Sequence, residues 1–235
     1  MNYLLPLLSV LLGYGLAIWL RPEKKSNLKL LLAFSGSFLL SLTVMHLLPE
    51  VYEGAGHVHE DGSEHGAHHH TIGIFIMVGI IFQIILEFFS RGAEHGHVHG
   101  HGEMQGIPWL LFISLCLHAF LEGFPITQHN HLALGIAIHH LPIAMILTVF
   151  FTKAHLNRLS VLFFMIVFAC MTPLGTAVAH LLPGLLQYHT EVTAIVIGIL
   201  FHISSTIIFE TTENHKFNVA KLSMIVLGIV LAFFL

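Results

Sequence analysis

Eight apolar runs, each about long enough to cross a bilayer, constrain this chain more than any other feature: about Tyr3–Leu20, Leu28–Pro49, Thr71–Phe89, Ile107–Thr127, Leu132–Thr152, Leu159–Leu182, Val192–Phe209 and Phe217–Leu235. A spanning helix needs ~20 mostly apolar residues. The runs are continuous rather than striped, and they predict an all-α integral membrane protein, a single transmembrane domain over residues 1–235. Apolar residues make up 55% of the chain and charged residues 9%, with a mean hydropathy of +0.83. That excludes a compact soluble enzyme, a disulfide scaffold and a disordered regulator. Nine Lys+Arg against thirteen Asp+Glu give a net charge of −4, so no basic field exists for nucleic acid. Cys116 and Cys170 lie inside apolar runs and form no CxxC; they read as small buried hydrophobes. The first run has neither a basic flank nor a clear small-residue cleavage site, so it reads as a span rather than a signal peptide.

The basic residues sort by loop. Arg21, Lys24, Lys25 and Lys29 lie between the first two runs; Arg91 follows the third; Lys153 and Arg158 follow the fifth; Lys216 and Lys221 follow the seventh. The other connections have none, and the second carries Glu53, Glu60, Asp61 and Glu64. Basic loops stay on the cytoplasmic side. The alternation therefore predicts an even number of spans with both termini outside, and it suits a bacterial inner (plasma) membrane.

Of the 21 histidines, ten fall in two connections. An outer His-rich loop, 53–70, contains His57, His59, His65, His68, His69 and His70. A cytoplasmic His-rich loop, 91–106, contains His95, His97, His99 and His101, alternating with glycine. Neutral imidazole is a good ligand for zinc, copper and nickel. The spacing closes no tetrahedral structural site. These segments are expected to collect or sense metal weakly; as plain low-complexity tethers they would bind none tightly.

The sharper signal lies within the spans. An ionisable residue at the bilayer centre costs ~2.5–3.5 kcal/mol even on lenient scales, so it usually faces a polar cavity. The fourth run carries His118 and Glu122, four apart and so on one helix face. The fifth carries His139 and His140, about 100° apart on a helix. The connection Gln128–His131 is short, so these runs form antiparallel neighbours with all four residues at about one height near the midplane. Three imidazoles and a carboxylate suit zinc and nearby transition metals. The bland alternative is hydrogen bonding between helices. Pro125 and Pro142 flank the cluster and should free the carbonyls of Leu121 and Ile138. His46 and Glu50, four apart near the outer end of the second run, and His180, ending the sixth, are candidates for a cation entrance or for interfacial snorkelling. His202, beside Ser204, Ser205 and Thr206, is a candidate pathway ligand or proton acceptor; Glu87 and Glu210 sit at inner ends, along an exit or solvated.

These residues resemble the ZIP (Zrt/Irt-like) family of divalent-metal transporters, as a divergent bacterial-type member. The matching features are the eight spans, His46-Leu-Leu-Pro49-Glu50, His118-x-x-x-Glu122-Gly123, His139-His140-x-Pro142, and a His-rich loop after the third span. The resemblance implies an eight-helix bundle of ZIP type that moves a divalent cation, most plausibly Zn2+, into the cytoplasm by rocking one helix group. Fe2+, Mn2+ and Cd2+ are within reach of the same donors. It implies no permanently bound cofactor, a lipid bilayer as surroundings and a homodimer as an assembly to consider. The primary ligands it carries over are His118, Glu122 and His139. Departures from the family pattern fall at Ala119, His140, Ile143 and Thr172, where further metal-binding side chains are usual, so one transport metal is expected rather than two. His140 either completes the site or faces away. Two rival classes remain. Membrane hydroxylases and desaturases cluster histidines in HxxxH and HxxHH patterns near one membrane face, unlike the mid-depth motifs here. A metal sensor would bind without transporting.

Overall fold

The computed structural model describes residues 4–20, 25–56, 65–90, 108–127, 130–182, 184, 187–210 and 219–234. Among them every regular element is helical. The elements are α1 (Leu4–Leu20), α2 (Lys25–Leu42), α3 (Leu48–Gly56), α4 (His65–Ser90), α5 (Trp109–Glu122), α6 (Asn130–Lys153), α7 (Arg158–Leu181), α8 (His189–Glu210) and α9 (Val219–Phe233). A π-helical turn, Thr43–Leu47, joins α2 to α3 without a break, so the nine labels form eight through-running helices, as the eight apolar runs predict. Five are long and apolar enough to cross a membrane, and the helices 4–20, 109–122 and 219–233 are shorter but equally apolar.

Helix ends depart from the runs where polar chemistry intervenes. The second run was expected to stop at Pro49, but the helix continues to Gly56. Pro49 has no N–H to donate and fits directly after the π turn, in the first turn of α3. Likewise α4 starts at His65, six residues before the expected Thr71, so both ends of the 53–70 segment are helical. Pro125 does not kink the fourth helix: α5 ends at Glu122, followed by a 3-10 turn over Pro125–Thr127. The Leu121 carbonyl is not left free, because it accepts the Phe124 N–H at 3.2 Å. Pro142 and Pro173 both sit inside continuous helices.

Packing divides the helices into two groups. In the first, α1 lies on α6 and α7, and α5 lies on α7. Its core holds Val10, Leu115, Leu147, Phe151, Phe164 and Phe168, with Phe151 and Phe164 ring centroids 4.7 Å apart, edge to face. In the second, α4 lies on α8, and α2 lies on both α8 and α9. The groups meet along α2–α6 and α4–α5.

Lipid is as apolar as leucine, so helices in a membrane gain most by close backbone approach at small residues. Two glycine pairs do this here. Gly123 faces Gly175 across α5–α7, and Gly79 faces Gly198 across α4–α8. A Cβ on Gly79 would run into the Ile195 backbone carbonyl, and one on Gly175 into that of Phe120. The outer surface is apolar: Ile74, Ile81 and Phe88 of α4 and Val226 and Phe233 of α9 are exposed, which suits a lipid-facing wall.

Candidate metal centre

α5 and α6 both belong to the first group and lie at its boundary with the second. On α5, His118 and Glu122 are one turn apart, and His118 Nε2 lies 3.2 Å from Glu122 Oε1. On α6, His139 and His140 diverge around the helix, yet both are buried. His140 Nε2 lies 3.0 Å from Glu122 Oε2, so the carboxylate uses one oxygen for each helix. His139 faces His118, with ring centroids 6.5 Å apart and planes at 81°. One donor atom from each of His118, Glu122 and His139 falls within 4.8 Å of the others. That spread matches a single ion drawn in among them, given bond lengths of about 2.0–2.2 Å to nitrogen and oxygen.

His118, Glu122, His139 and His140 are each at most 1% exposed. A buried carboxylate needs compensation by partners that donate or carry positive charge. Two imidazoles provide it here, and a divalent cation would provide more. His140 is thus a partner of the carboxylate rather than a residue turned away, and its ring also packs on Phe168 of α7 at 5.3 Å.

Three contacts escaped the sequence reading. Ser35 of α2 reaches across the group boundary, with Oγ 3.4 Å from His139 Nδ1. Such a contact can fix the orientation of a metal-binding imidazole. Thr176 of α7 donates to the Gly123 carbonyl at 2.8 Å and ties down the turn that ends α5. Ser9 of α1 donates to the Ala137 carbonyl of α6. Each joins residues from distant parts of the chain, and the only hint was a small hydroxyl inside an apolar run. Thr172, in one of the positions where the sequence departs from the family pattern, has a buried hydroxyl with no partner among the described residues.

The remaining candidates are placed as follows. His46 Nε2 lies 3.0 Å from the Ala232 carbonyl of α9, so this ring joins two helices of the second group. Glu50 and His180 are exposed. His202 pairs with Glu87, Nε2 to Oε2 at 2.6 Å, across α8–α4. Glu87 is therefore a hydrogen-bond partner of His202 rather than a freely solvated end. The backbone of His65, His68 and His69 is helical, whereas His57, His59, His95, His97, His99 and His101 lie outside the described residues.

Fold and cluster together define an all-α integral membrane protein with a buried His/Glu centre. A family model described as the ZIP zinc transporter matches residues 3–107. The ZIP resemblance read from the sequence is thus supported over those residues, and the chain is an all-α membrane protein similar to that family there. Among curated proteins it is similar to Zinc transporter SLC39A7 of Mus musculus, 32% identical over 86 residues, covering 34% of this chain and 18% of that protein. The proteins of the same name from Sus scrofa and Homo sapiens are 31% identical over 84 residues and 33% identical over 82 residues, covering 33% and 32% of this chain. The chain thus aligns with about a fifth of the length of these relatives, 18% in each case. These relatives are all named as zinc transporters. The family model stops before α5, so His118, Glu122, His139 and His140 are candidates for a centre on their geometry alone.

Proposed function

We propose that this protein carries divalent metal cations, zinc foremost, across a membrane through the His118–Glu122–His139 centre, with His140 holding the second oxygen of Glu122. The observation that carries the reading is the convergence of three buried donors within 4.8 Å at the boundary between two helix groups. An ion there exchanges water for imidazole and carboxylate, and it must be held weakly enough to leave again. The centre's helices lie in one group while Ser35 lies in the other, an arrangement that suits access alternating by movement between the groups. The charge sorting of the loops supports both termini outside and suits a bacterial inner membrane, while inward transport is what the ZIP resemblance implies. With His140 engaged by Glu122 and only hydroxyl or apolar side chains at Thr172 and Ile143, the centre holds one ion rather than two. His95, His97, His99 and His101 would receive or sense the ion after release.

The test is zinc uptake into proteoliposomes. Wild type is expected to show saturable uptake with one tightly bound ion at saturation, and His118→Ala to lower uptake at least about tenfold, the scale of losing a metal ligand or its support. Uptake unchanged in His118→Ala would remove the centre from the pathway. Zinc bound stoichiometrically without any flux would favour the sensor reading.

A further inference from the structure

A cavity lies at one end of the first helix group, away from the residues of the metal centre. Its volume is about 640 Å³, and it is bounded by the ends of α1 and α6, the turn after α6 and the start of α7. Its polar lining is one-signed. Lys153, His155 and Arg158 face it, the Tyr14 ring adds a hydroxyl group, and among the described residues no Asp or Glu lines it. Neither Lys153 nor Arg158 has an ion-pair partner among the described residues.

Two features of the backbone point the same way. Arg158 is the first residue of α7, a 24-residue helix capped by Asn157, whose side chain accepts the Leu159 N–H. A helix start is already electropositive, so a cation there opposes the dipole and costs stability rather than adding to it. His155 has φ 57°, a left-handed conformation that glycine adopts without strain. The turn is closed by Leu156 N–H to the Phe151 carbonyl at 3.1 Å, and a histidine takes the position where glycine is the usual choice. Two locally unfavourable residues thus converge on one cavity, and both supply groups that an anion would use.

Thr148 and Thr152 also line it, with their hydroxyls donated to backbone carbonyls of α6, and the rest of the lining is apolar and includes Val149, Val161 and the exposed Ile18. Next to it, Trp19 and Leu159 are 79% and 73% exposed, so the mouth adjoins a lipid-facing surface. Basic pockets between membrane helices at an interface suit anionic head groups. We infer that this cavity is a binding site for the phosphate group of an anionic phospholipid, held by Lys153, Arg158 and His155, with the acyl chains along Ile18 and Leu159. The shared chemistry is a phosphate oxyanion, and free inorganic phosphate is the competing source.

The experiment is thermal unfolding of the full chain in detergent with added phosphatidylglycerol, phosphatidylcholine or inorganic phosphate, supported by native mass spectrometry of retained lipid. Phosphatidylglycerol is expected to raise the melting temperature in a saturable way, with no comparable rise from the other two. Lys153→Gln/Arg158→Gln should weaken the phosphatidylglycerol response at least about tenfold, as for lost charge-assisted hydrogen bonds. Lys29→Gln/Lys221→Gln, which removes the same charge elsewhere, should leave it intact. His155→Gly keeps the test decisive if the double variant folds poorly: it relieves the backbone, so the lipid-free protein should melt higher while the lipid response shrinks. Equal responses to phosphate and phosphatidylglycerol would overturn the lipid assignment. A full response in Lys153→Gln/Arg158→Gln or in His155→Gly would overturn the site.

Discussion

Glu122 spans two helices with two oxygens, and that sharing governs how the centre responds to substitution. His118 belongs to the same helix, so its contact was legible from a spacing of four. His140 was legible only as an alternative, since the sequence gives its angle on α6 but not which way α6 is turned. Ser35 was not legible at all, because it meets His139 from 104 positions away. It also makes the clearest residue-scale prediction. Ser35→Ala should weaken zinc binding about tenfold, the low end for losing a group that orients a metal-binding histidine. Ser35→Thr keeps a hydroxyl and should retain most of the affinity. Competition titration against a fluorescent chelator reads both. An alanine variant that binds as wild type would mean that packing alone orients the ring.

At the scale of elements, hydropathy located the eight through-running helices of the described residues, because nothing but an apolar helix suits such runs. It located their ends less well, since ends depend on backbone chemistry that hydropathy ignores. α2 passes through to Gly56 because a π turn admits Pro49, while α5 stops at Glu122 because Pro125 follows and Thr176 secures the turn. The glycine contacts were equally hidden, since they depend on which faces meet. Gly79→Ala forces a methyl group against the Ile195 carbonyl, and backbone cannot swing aside as a side chain can. The expected cost is about 1–3 kcal/mol, as for overpacking a filled core. Gly15→Ala, where a Cβ meets nothing within 4 Å, should cost little or stabilise. Thermal unfolding in detergent compares them, and equal melting temperatures would mean that α4 and α8 can separate freely.

At the scale of the whole molecule, the division into two groups matters more than the count of helices. α6 touches α2 across the boundary, where Gly135 admits the Leu42 side chain. Joining these helices by oxidising Leu42→Cys/Gly135→Cys, with Cys116 and Cys170 replaced by Ala, should arrest uptake reversibly with reductant. The same variant kept reduced, with the two helices unlinked, should transport. Arrest in both states or in neither would separate transport from movement between the groups.

The π turn of the second helix has a consequence for that division. On a regular helix Phe34, Phe38, Ser41 and Met45 would share one face, and Ser35, Leu39, Leu42 and His46 the next. Gly228 of α9 packs on Phe34, Ser37 and Phe38, while Ser35 and Leu42 meet α6. Without the π turn His46 would continue the α6 face; instead it binds the Ala232 carbonyl of α9. One surplus residue acts as a reading-frame shift in the helical repeat, reassigning a histidine from the partner that would move to the one that stays.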